Sequence, residues 1–200
     1  MFQSEVQKRL KLLIVGQDQL VEISDQLFHL KEAGQGEADL KVTFSNECVL
    51  FRKLEKKGLQ YFQNQKCADY VLFEYRDDVW YVHIFELKRT ISSKRWNEEI
   101  KIQFAGALQN ALALAGVLGV NIALDQVTLY TVYRNDKIND ATNPGKLRYR
   151  MHKELNGIEH TNESDWNDSE IVVRLTKNLN LKHVKVGLNL EYGTGEYCIG

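Results

Sequence analysis

Residues 67–90, CADYVLFEYRDDVWYVHIFELKRT, decide how this chain folds. Two apolar runs, 70–75 and 80–87, flank the polar Arg76-Asp77-Asp78, which has the length and composition of a β-hairpin connection. Successive side chains of a strand point to opposite faces. Val82, Ile84, Glu86 and Lys88 therefore share one face, and Tyr81, His83, Phe85 and Leu87 share the other. If the two runs pair as antiparallel strands, Asp69 at the start of the first comes beside Glu86 at the end of the second. Two carboxylates and an ammonium then converge at one end of a sheet.

Carboxylates held that close repel one another, and a hard divalent cation with oxygen ligands relieves the repulsion. The backbone carbonyl of Leu87 adds a further oxygen donor without requiring any particular side chain. A cation held there can lower the pKa of a bound water and polarise a phosphoryl oxygen. Lys88 can then orient the water or offset charge developing on the phosphate. The competing reading makes Asp69 a turn residue and Glu86 and Lys88 a solvated strand end.

Downstream of the hairpin the pattern predicts a helix over 95–118. Ile100, Phe104, Ala107, Leu108, Ala111, Leu112 and Ala115 form its apolar face. Glu99, Gln103, Gly106 and Asn110 line an adjoining stripe. Gly106 permits a close approach there, and Gln103 either faces the site or caps a backbone group at its boundary. A strand is expected at 127–133, and late strands at 171–175 and 184–190. The polar segment 134–170 holds the single proline, Pro144, and reads as a long loop with some helix. Upstream, 42–54 is β-rich, 33–37 is a turn, and 4–31 reads as helical. Ser4 and Gln7 are spaced for a capping box, and Gly16 is a candidate break. These elements make one domain of 1–200, with a helical segment to residue 33, a core over 42–133, and the polar loop and last strands over 134–200.

Asp69 at a strand start, a hairpin return, Glu86-Leu87-Lys88 and then a helix carrying Gln103 together resemble the PD-(D/E)xK phosphodiesterase superfamily, the restriction-endonuclease-like nucleases. The resemblance spans roughly 45–133. It implies an α/β fold with a mixed central β-sheet flanked by helices, and a Mg²⁺- or Mn²⁺-dependent endonuclease. Asp69, Glu86 and the Leu87 carbonyl are then the metal ligands, and Lys88 and Gln103 the catalytic partners. Ala68 stands where the family pattern has proline. The upstream glutamate of many members has two candidates, Glu47 near the strands and Glu22 in the first segment, with Glu47 placed among the metal ligands. DNA is favoured over RNA on the resemblance alone. A module that keeps this fold and binds nucleic acid or protein without turnover is the alternative.

Charge and composition narrow the remaining options. Lys plus Arg (26) and Asp plus Glu (27) nearly cancel, which excludes a uniformly basic coat and leaves local patches as the way to bind nucleic acid. Arg89, Lys94, Arg95 and Lys101 form one such patch, and Arg134, Arg148 and Arg150 belong to another that includes Lys137. Trp96, Tyr133 and Tyr149 are interleaved with them. Cys48, Cys67 and Cys198 are odd in number and lack zinc or redox spacing, as expected of reduced thiols in a cytoplasmic protein. The apolar run 104–124 is interrupted by Gln109, Asn110 and Asn121 and reads as a buried helix rather than a membrane span. The five histidines show no ligand spacing and read as structural. The sequence leaves the assembly state open, a homodimer included.

Overall fold

The computed structural model describes residues 4–13, 21–32, 38–52, 54, 64–139 and 165–200. The hairpin forms as expected, from β5 (Tyr70–Arg76) and β6 (Val79–Ile91), with Tyr70 opposite Phe85 and Arg76 opposite Val79. Asp77 and Asp78 both take positive φ, 51° and 62°, the conformation that a two-residue turn needs to follow the strand twist. Asp78 also accepts a hydrogen bond from the Tyr75 hydroxyl at 2.8 Å.

Around this hairpin a mixed sheet is built in the order β1-β4-β5-β6-β7-β9-β8. The flanking strands are β1 (Val21–Ser24), β4 (Cys48–Arg52), β7 (Val127–Asp136), β8 (Glu170–Arg174) and β9 (Asn178–Gly187). β6, β7 and β9 run parallel, and the remaining pairs are antiparallel. A parallel β6–β7 pair requires a crossover, and α2 (Lys101–Leu118) supplies it. α2 follows a short turn, Ser93–Arg95, capped by the Ser92 side chain, and a π-helical turn, Trp96–Ile100. A second sheet, β10-β3-β2, consists of β2 (Leu27–Glu32), β3 (Ala38–Thr43) and β10 (Thr194–Cys198).

The large sheet thus separates two cores. Val71, Phe73, Val82 and Ile84 pack with α2 and with α1 (Ser4–Leu13), whereas Leu72, Phe85 and Leu87 pack with Phe28, Leu30, Leu40 and Val42 of the second sheet. The α/β class with a mixed central sheet is as expected. The helical reading of 4–31 holds for Ser4–Leu13 and fails over 21–32, which carries β1 and β2; 14–20 lie outside the described residues. In Phe28-His29-Leu30-Lys31 the apolar residues recur every second position, and Phe28 and Leu30 are buried while His29 and Lys31 are exposed. That is a strand period, which overrode the helical spacing of Ile23, Leu27 and Leu30. The Ser4 side chain, Gly16, the 33–37 turn and most of the long polar loop, with Pro144 and Tyr149, lie outside the described residues.

The buried face of α2 differs from expectation at Leu112, which is 39% exposed. The buried arc turns instead toward Gln103, Gly106 and Asn110, because the segment leading into β5 packs on that flank. Ala68 N–H donates to the Gln103 carbonyl at 3.1 Å. A β-carbon at Gly106 would lie 1.8 Å from the Lys66 carbonyl oxygen. Backbone cannot yield as a flexible side chain can, so Gly106→Ala is expected to destabilise the fold by about 1–3 kcal/mol. Urea denaturation of the two proteins checks this; equal midpoints would mean that the 64–68 segment shifts without cost. None of Cys48, Cys67 and Cys198 is in a disulfide. No helix among the described residues is long and apolar enough to cross a membrane.

Candidate metal and phosphodiester site

β5 begins at Tyr70, so the regular β5–β6 ladder stops at Tyr70–Phe85, one position before Asp69 and Glu86 would pair. The two carboxylates carry the ladder on. Asp69 N–H donates to Glu86 Oε2 at 3.2 Å, and Leu87 N–H donates to Asp69 Oδ2 at 2.8 Å. Each acid thus binds backbone on the other's strand. Because a strand residue points its N–H and C=O toward the same edge, the Leu87 carbonyl also faces this corner.

Glu86 is fully buried and forms an ion pair with the Lys88 ammonium. Burial first, and then the Asp69 charge, push the Glu86 carboxyl up to about 8. The Lys88 ammonium also lies 3.3 Å from Glu99 Oε1, and Glu99 Oε2 lies 3.2 Å from Arg95 Nε. Burial acts to lower the Lys88 pKa, but Glu86, Asp69 and Glu99 outweigh it and hold it above the usual lysine value, so the ammonium stays protonated. Glu99 reaches Lys88 from the π-helical turn, whose wider winding is a feature often found at functional sites.

One acidic residue here was missed in the sequence. Glu32, at the end of β2, is partly buried, and its carboxyl is raised by burial first and then by Asp69, with Lys88, Arg95 and Glu99 also in electrostatic reach. Tyr70 holds this end of β2 in place: its hydroxyl accepts from Lys31 N–H at 2.9 Å and donates to the Lys31 carbonyl at 2.6 Å. The strand alternation of 27–32 was the available signal, since it ends β2 on an acid.

The two candidates for an upstream acid fall elsewhere. The Glu47 carbonyl accepts from Tyr75 N–H, at the hairpin end of β5. Six strand residues at about 3.3 Å each separate that end from Asp69, roughly 20 Å, so Glu47 is not in reach. Glu22 is ion-paired with Arg52. Among the described residues no three His, Cys, Asp or Glu side chains surround one point. The donors at the corner are two carboxylates and a carbonyl, which suits a cation such as Mg²⁺ that keeps several waters. Burial first, and then the Asp69 charge, raise Glu86, and such a cation would relieve both by neutralising the paired carboxylates.

Gln103 is buried on α2, and its Oε1 accepts no hydrogen bond from the described residues. The basic candidates divide. Lys94 and Arg95 lie beside Glu98 and Glu99 near the site. Lys101 is instead paired with Asp165 at 2.6 Å and sits over the Trp96 ring. Arg134 donates to the Leu190 and Glu191 carbonyls. Arg89 is exposed on the face of β6 opposite Lys88, and Arg148 and Arg150 lie outside the described residues. Trp96, expected among the surface aromatics, is fully buried against Trp166, and Tyr133 packs on Trp166 as well. Trp96 and Tyr133 therefore belong to core packing. Of the histidines, His83 lies between Glu74 and Tyr130, and His183 bonds Thr131, both as structural partners.

No protein family, curated protein or solved structure matches the chain.

Proposed function

We propose that this protein is a metal-dependent nuclease with a restriction-endonuclease-like core, hydrolysing phosphodiester bonds of nucleic acid, DNA in preference to RNA. The reciprocal lock of Asp69 and Glu86 at the end of the β5–β6 hairpin, with Lys88 beside it, carries this reading. An ordinary strand end does not bury a carboxylate completely against a second one. Such an arrangement costs folding free energy and points to a charged ligand that repays it.

Asp69, Glu86 and the Leu87 carbonyl would hold Mg²⁺ or Mn²⁺, which would supply Lewis acidity to a water and to a phosphoryl oxygen. The chain's own residues do the rest. The permanently protonated Lys88 is suited to placing positive charge against the phosphate rather than to removing a proton. Glu99 and Glu86 hold that ammonium from two sides. The orphan acceptor on Gln103 is suited to orienting a water by accepting one of its hydrogens.

Thermal melting tests the metal site apart from turnover. Ligand at a hundred times its Kd stabilises by about 2.7 kcal/mol, which for a chain of this size raises Tm by roughly 5–10 °C. Mg²⁺ or Mn²⁺ is expected to produce such a rise in the wild type but not in Asp69→Asn, whose amide oxygen can still accept from Leu87 N–H. An equal rise in both proteins would remove Asp69 from the site.

A further inference from the structure

Beside the corner, a groove of about 560 Å³ opens between the segment before β5, the end of β6 and the start of the helical region. Among the described residues its walls carry four cations, Lys66, Lys94, Arg95 and Lys137, against two carboxylates, Glu98 and Glu99. Thr90 and Ser92 add hydroxyl groups, and no aromatic or aliphatic side chain among the described residues lines it. Two of the cations are anchored by their backbones. Lys66 N–H donates to Asn64 Oδ1 at 3.1 Å, and Lys137 N–H donates to the Ile91 carbonyl at 2.9 Å.

We infer that this groove seats the phosphate backbone of a nucleic-acid strand next to the bond being cut, and that it recognises charge without reading bases. Its ligand follows from the phosphodiesterase reading, on which the inference rests. Glu99 lines the groove and also touches Lys88, so the two sites are continuous. Phosphates along one strand of a duplex recur about every 3.4 Å of axis, so a strand with one phosphate at Lys88 brings its neighbours over the groove. Base recognition needs aromatic platforms for stacking or side chains presented to base edges. Contacts from cations and hydroxyls to phosphate oxygens position a backbone and carry no sequence information, and Arg95, whose fork could otherwise read a base edge, is already held by Glu99 and the Thr90 carbonyl. Glu98 and Glu99 do not cancel the field. Glu99 is engaged by Lys88 and Arg95, and the Lys94–Glu98 pair is a solvated contact at 4.0 Å.

The test is fluorescence anisotropy of the full chain with labelled DNA duplexes, one A·T-rich and one G·C-rich, in chelator so that nothing is cut. Lys66→Ala combined with Lys137→Ala is expected to weaken binding on the order of tenfold. The slope of log affinity against log salt should become shallower by about 1.8, equally for both duplexes. Lys94→Glu, on an exposed turn, is expected to act in the same direction. An unchanged slope, a loss confined to one duplex, or no binding by the wild type would overturn the inference. Cleavage with Mg²⁺ is measured in parallel to separate it from the reading on which it rests. A wild type that cuts DNA while its binding ignores these lysines refutes the groove alone. One that never cuts, yet loses its binding with them, upholds the groove and refutes the nuclease.

Discussion

Lys88→Met is expected to slow cleavage by about 10²–10³ while leaving nucleic-acid binding nearly intact. Methionine keeps most of the aliphatic stem, so packing beside Glu86 should survive. The ammonium is lost, and with it the positive charge that would meet the phosphate. Removing one such group from a preorganised site costs about 10²–10³ in rate. Binding should change far less, because several other cations share the phosphate contacts. The measurement is a comparison of wild type and variant on a panel of DNA and RNA with Mg²⁺ or Mn²⁺, with affinities read separately in chelator. A variant that cuts as fast as wild type would take Lys88 out of the chemistry. If the wild type is inert on the whole panel but still binds, the non-catalytic module is the right reading.

The second large effect concerns Glu86 and the metal-free protein. The carboxyl has an ordinary value of 4.5 and is pushed to about 8 in the fold, first by burial and then by Asp69, against the opposing pull of Lys88. Between those values the folded chain keeps a proton that the unfolded chain has released. Raising the pH across that window therefore favours unfolding. At 1.36 kcal/mol per pKa unit the cost above pH 8 is on the order of 5 kcal/mol as an upper bound. Glu86→Gln removes the titration, and its amide oxygen can still accept from Asp69 N–H, while Lys88 keeps Glu99. In chelator the variant should be more stable than wild type at pH 8, by about 2–5 kcal/mol. That advantage should fade as the pH falls toward 4.5. Taking the difference between the two proteins isolates Glu86 from other groups, such as His183, which burial holds down at about 4. Urea denaturation at several pH values reads it out, and a difference independent of pH would mean that Glu86 does not carry this shifted proton equilibrium.

The hairpin and its charged end were legible in residues 67–90 because strand alternation and turn chemistry are local. Asp69, Glu86, Leu87 and Lys88 lie within one supersecondary unit, so their meeting follows once the two runs pair. The helix after it was equally legible from its spacing, apart from the one-position shift of its buried arc that exposes Leu112. Residues 21–32 misled, because the apolar positions of a short segment fit two periods, and only packing of Phe28 and Leu30 against the second core chooses between them. Glu32 could not be found from its neighbours in sequence. It reaches the corner because Tyr70 hydrogen-bonds the backbone of Lys31, a contact between residues 39 positions apart. The same limit holds for Lys101 and Arg134: nothing local to either reveals that Asp165, or the carbonyls of Leu190 and Glu191, will engage it. Periodicity sets which face of its own element a side chain takes, whereas the groups that meet across elements depend on how the two cores are filled on either side of the sheet.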